Sequence, residues 1–130
     1  MAIKDALLDK VSPMLHVPDV QAAADWYKSI GFTVENTFSD GSEVVFALVS
    51  AGATQLMFSS GGKPSDQFRR EVDLYVYSSG VDELYDRLKG RVEVVEDLHD
   101  TFYGMREFII RDLNRFWITF GQPIQGGQGG

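Results

Sequence analysis

Apolar and polar positions change period along the chain in a way that separates strands from helices. Met105 to Arg111 and Phe116 to Phe120 are rich in Phe, Ile and Trp, residue types that fit a pleated surface, and Asp112, Leu113, Asn114 and Arg115 between them supply a turn. The pattern predicts an antiparallel hairpin in which Phe116, Ile118 and Phe120 share a core face while Trp117 and Thr119 share the other. Such a hairpin is marginal alone, so it belongs to a larger sheet. Near the start, Val11 to Val17 alternates, with Val11, Leu15 and Val17 on one face and Ser12, Met14 and His16 on the other. Pro18 stops this strand, Asp19 is placed to cap a helix from Val20 to Ile30, and Gly31 ends it. Ala23, Trp26, Tyr27 and Ile30 form its apolar stripe. Short strands follow near Thr33 to Ser39, Val44 to Ser50 and Thr54 to Ser59, with turn residues between them.

After a flexible connection at Gly61 to Asp66 the same order returns. Val72 to Tyr77 is a strand, Val81 to Leu88 a helix ended near Gly90, and Val92 to Leu98, Met105 to Arg111 and Phe116 to Phe120 are three more strands. Two β-α-β-β-β repeats, about 11–60 and 71–122, make one α+β domain, since duplication of a supersecondary unit fixes the architecture. Each helix covers one face of its strands. The opposite faces are expected to form a cupped mixed sheet, with the helices outside. Ile3, Leu7 and Leu8 stand at helical spacing and predict a helical extension over 1–10, and the Gly-rich 123–130 reads as a disordered tail.

Composition narrows the partners. No apolar run approaches the roughly 20 residues needed to cross a bilayer, and the N-terminus lacks a signal-peptide core, so the expected location is cytoplasmic with no membrane partner. The absence of cysteine removes disulfides, thiolate metal sites and a Cys nucleophile. Nineteen acidic against twelve basic residues give a formal charge of -7, which repels phosphate backbones and argues against nucleic acid. It attracts cations, although acidity for solubility alone has the same composition.

The segments PMLHVPDVQAAADWYKSIGF at 13–32 and YGMREFIIRDLNRFWITFGQ at 103–122, with the doubled β-α-β-β-β order, resemble the glyoxalase/bleomycin-resistance/extradiol-dioxygenase family, the vicinal oxygen chelate superfamily. YGMREF followed by DLNRFW is most similar to its bleomycin-resistance-like branch, with Leu113 and Arg115 where the family often has Pro and Gly. The resemblance implies a homodimer and a small-molecule site. Metal-dependent members hold a divalent ion at positions that fall here on Ser12, Met57, Glu71 and Thr119, and only Glu71 is a good ligand. The expectation is therefore no metal and no cofactor. By the same resemblance His16 lies near the position that contacts substrate, whereas His99 is read as an exposed loop residue.

The expected ligand-binding residues are Met14, His16, Met57, Glu71, Asp73, Tyr75, Trp117 and Thr119, with Ser12, Gln55, Ser59 and Tyr77 beside them. Thioethers, flat aromatics and a few polar groups are the composition of a binding surface; a solvated outer face tolerates the polar members equally. Glu71 and Asp73 could work as an acid/base pair, could pair with Arg69, Arg70 or Arg106, or could anchor a cation. The leading expectation is a metal-free protein of the bleomycin-resistance type that sequesters an aromatic or cationic compound and so confers antibiotic resistance. The alternatives are a superfamily enzyme (lyase, dioxygenase or epimerase) acting on a small metabolite, and an accessory dimer with a vestigial cup.

Overall fold

The computed structural model describes residues 7–124. Two compact units meet in sequence at Lys63 and Pro64, and each carries its own four-stranded mixed sheet and one helix.

In the first unit β1 (Met14–His16), β2 (Thr33–Asp40), β3 (Glu43–Ala51) and β4 (Thr54–Ser59) lie in the order β1-β4-β3-β2. β1 runs parallel to β4 and the other pairs are antiparallel. The helix α1 (Val20–Ser29) starts where the Asp19 side chain accepts the Ala22 N–H at 3.0 Å. Its buried residues Val20, Ala23, Ala24 and Tyr27 cover Ala47, Val49, Leu56 and Phe58, with the Tyr27 and Phe58 rings 4.8 Å apart. Trp26, expected in that stripe, is only half-buried, and Ala24 takes its place.

The second unit repeats the plan with β5 (Asp73–Tyr77), α2 (Val81–Leu88), β6 (Glu93–Asp100), β7 (Met105–Arg111) and β8 (Trp117–Pro123), in the order β5-β8-β7-β6. Here α2 buries Val81 and Leu88 and sets Tyr85 edge-on to Phe108, which stacks on Phe120. Gly80 offers no capping side chain. The Gln122 amide oxygen on β8 accepts the Val81 N–H instead, at 2.9 Å, so a neighbouring strand satisfies the helix start.

Three elements match their predicted limits: β4, α2 and β7. The first strand is shorter than the alternation suggested. Val11 is exposed and Ser12 lies outside β1, although Pro13 still contributes its carbonyl to the Met57 N–H. Residues 7–10 of the expected N-terminal helix have no regular structure, and its first six residues lie outside the described residues. Pro123, assigned to the tail, ends β8, and the Ile124 N–H bonds the Gly104 carbonyl; 125–130 lie outside the described residues.

Candidate binding faces

Register assigns the face of each sheet that its helix leaves open. In the first unit Met14 pairs with Met57, which pairs in turn with Leu48, and His16 pairs with Ser59, which pairs in turn with Phe46, so these side chains share a face continued by Phe38. Phe46 and Phe38 lie 5.8 Å apart, and Met14 and Phe38 are exposed. His16 Nδ1 stands 3.4 Å from the Ser60 carbonyl oxygen.

The second unit builds a richer face. Across β6-β7-β8-β5 one row reads Glu93, Arg111, Trp117, Asp73; the next Glu96, Ile109, Thr119, Tyr75; the third His99, Glu107, Gly121, Tyr77. Carboxylates and aromatic rings thus interleave on one surface. His99, expected in a loop, belongs to β6, which runs to Asp100.

Glu107 is the buried centre of that face, 4% exposed. Its two oxygens accept the hydroxyls of Tyr75 and Tyr103, each at 2.6 Å, the acceptor mode of an ionised carboxylate. The Tyr75 phenol is held well above its ordinary pKa, first by burial and then by this bond; for Tyr103 the bond to Glu107 is the main cause of the upward shift. The Tyr75 ring crosses β8 where Gly121 has no side chain, and a Cβ there would stand 2.0 Å from the phenol oxygen. The absence of that one carbon lets the ring lie on the sheet and reach Glu107. Tyr77 continues the aromatic surface, its ring 5.0 Å from that of Tyr75.

The other end of the face is covered by its own chain. Phe68, in the irregular segment before β5, packs edge-on to Trp117, with ring centroids 5.6 Å apart. The Phe68 carbonyl accepts the Trp117 indole N–H at 3.1 Å and an Arg111 N–H at 2.8 Å. The Arg69 guanidinium lies 4.3 Å over the Trp117 ring and is paired with Asp73. Trp117 is therefore only 8% exposed. Arg111 is also buried and paired with Glu93.

The eight expected ligand residues are thus distributed as follows. Met14, His16 and Met57 share the open face of the first sheet, and Asp73, Tyr75, Trp117 and Thr119 share that of the second. Glu71 precedes β5, so it does not stand in the strand row with Asp73. Asp73 has taken Arg69 as its partner, while Arg106 instead pairs with Asp82 and Asp100. Sequence reasoning missed Glu107, Tyr103, Gly121 and Phe68. The available signal was Glu107 itself, an acid directly before the apolar run Phe108-Ile109-Ile110 of a central strand.

Of the side chains at the four family metal positions only Glu71 is a good donor for a divalent ion. Met57 offers a thioether and Ser12 and Thr119 neutral hydroxyls, Thr119 being 9% exposed within β8. Among the described residues no group of three or more His, Cys, Asp or Glu is placed to hold a metal.

Two β-α-β-β-β units, each with a helix on one sheet face and an open face opposite, define a duplicated α+β protein of the vicinal oxygen chelate type. The chain belongs to the Glyoxalase/Bleomycin resistance protein/Dioxygenase superfamily, which matches residues 8–120. Solved structures agree in fold. TioX from Micromonospora sp. ML1 is 22% identical with a TM-score of 0.72, covering 88% of this chain and 100% of that one. A glyoxalase/bleomycin resistance protein/dioxygenase from Nocardioides is 16% identical with a TM-score of 0.73, covering 98% and 91%. A bleomycin-binding protein complexed with bleomycin is 15% identical with a TM-score of 0.67, covering 88% and 98%. No protein of curated function matches the chain in sequence. Among the described residues no helix is long and apolar enough to cross a membrane.

Proposed function

We propose that this protein binds and sequesters a small aromatic or cationic compound, as a metal-free, non-catalytic member of its superfamily. The observation that carries the reading is the face of the second sheet that its helix leaves free, where the exposed rings of Tyr75 and Tyr77, and Trp117 beneath Phe68 and Arg69, interleave with Asp73, Glu93, Glu96 and Glu107. Flat rings give a planar ligand a stacking surface, and a cation over such a ring gains about 0.5–2 kcal/mol. Four carboxylates against two guanidiniums, Arg111 of the sheet and Arg69 laid over it, favour positive charge on that ligand, in a chain whose formal charge is -7. The poor donors at the family metal positions support binding without a metal. A fold relative complexed with bleomycin, itself a compound with flat and cationic parts, supports the choice of first probe.

The same reading includes a homodimer. Met14 and Phe38 remain 47% and 55% exposed on the open face of the first sheet, and large apolar residues grouped on one face mark an interaction surface. Calorimetric titration with bleomycin, copper-free, at low and high salt tests the function. Saturable binding that weakens with salt is expected, and it should be lost or reduced in Tyr75→Ala. Heat from continuing turnover, or preference for an anionic thiol conjugate over every cationic compound, would replace this reading with the enzymatic one.

A further inference from the structure

We infer that the Trp117 end of the second sheet is a subsite for a planar, delocalised cation of the guanidinium or amidinium class, and that the side chain of Arg69 occupies it in the unliganded protein. The inference deepens the function proposed above and rests on that reading of the face. Arg69 supplies what such a ligand would supply: a flat cation 4.3 Å over the indole, paired with the carboxylate next to it in register. Phe68, edge-on to the same ring, forms the wall.

Arg69 is not what holds its own segment down. The Phe68 carbonyl accepts from Trp117 and Arg111, the Gln67 carbonyl accepts from Arg115, and Arg70 donates to the Asn114 carbonyl while lying 4.3 Å over the Phe116 ring. The Arg69 side chain is 53% exposed and that of Asp73 31%, so the guanidinium can swing into water and leave wall, ring and carboxylate in place. A ligand that must displace it binds with an affinity reduced by the fraction of time the subsite stands open. The subsite thus selects against weak or non-planar cations and admits those that stack better than arginine does.

The test uses benzamidine, a planar aromatic amidinium, with neutral benzamide as control, and follows the indole N–H resonance of Trp117, assigned through Trp117→Phe and distinguished from that of Trp26. Benzamidine is expected to shift the Trp117 signal, and Arg69→Ala to tighten its binding roughly three- to tenfold, the scale of one exposed cation–π contact with one surface ion pair. Arg69→Lys keeps the charge and removes the planar stack, so it should fall between the two. Unchanged or weaker benzamidine binding in Arg69→Ala, wild-type affinity in Arg69→Lys, or a response to benzamide equal to that to benzamidine would overturn the inference. Bleomycin binding that persists alongside any of these results leaves the sequestration function standing and removes only the subsite; failure of both probes removes both.

Discussion

Gly121, Tyr75 and Glu107 form a unit in which a missing side chain positions a ring and a buried acid holds it. Adding a Cβ in Gly121→Ala would force the phenol off β8 and strip Glu107 of one partner, at a cost of about 1–3 kcal/mol. The alkaline limb of stability reports the same unit. Tyr75 and Tyr103 are raised in the fold above their ordinary value of 10.0, so the fold favours their protonated forms. That contribution is fully present below pH 10 and is lost as pH rises through the folded values. Denaturant midpoints measured from neutral pH upward should fall above about pH 10, and less steeply in Tyr75→Phe. Equal slopes in the two proteins would show that the bond to Glu107 does not distinguish the protonation states. Strand alternation was enough to put Tyr75 and Trp117 on one face. It places Glu107 on the corresponding face of β7 as well, but that Glu107 meets the Tyr75 hydroxyl depends on the register of β7 against β8 and of β8 against β5, which the sequence does not print.

The hairpin of β7 and β8 depends on Asp112 at its turn. This buried carboxylate accepts the N–H groups of Asn114 at 2.7 Å and Phe116 at 2.8 Å, and the Asp112 N–H bonds the Phe116 carbonyl. Asp112→Ala should therefore cost about 2–4 kcal/mol in chemical denaturation, with a smaller loss for Asp112→Asn, which keeps an acceptor oxygen. A loss within experimental error for the alanine variant would mean that the turn is held by other groups. Arg115, where the family often has glycine, takes φ 71, so the departure from the family pattern is absorbed as a left-handed arginine. Helix and strand limits were legible where periodicity was strong, as in α2 and β7. The first strand was overextended because Val11 fits the alternation without being buried. The segment of Phe68 and Arg69 has no period, so only the fold shows that it covers Trp117. Truncating Trp117 to alanine would consequently unpack that segment as well as remove a stacking ring, and Trp117→Phe is the cleaner probe of binding.

Duplication was the most legible property of the whole molecule, because two helical stripes each followed by three strands recur in one order. The difference in character between the two halves was less so: the first open face is thioether and apolar, whereas the second is aromatic and acidic. The proposed pairing of chains rests on the apolar face, and sedimentation at micromolar concentration should give the mass of a dimer; a monomer throughout would remove that part of the proposal. The central claim, reversible sequestration of an aromatic cation without metal, is tested most directly by native mass spectrometry after incubation with copper-free bleomycin. The expected result is a dimer carrying the compound at its unaltered mass, with no divalent ion bound. A chemically altered compound, or a stoichiometric metal ion whose removal abolishes binding, would contradict it.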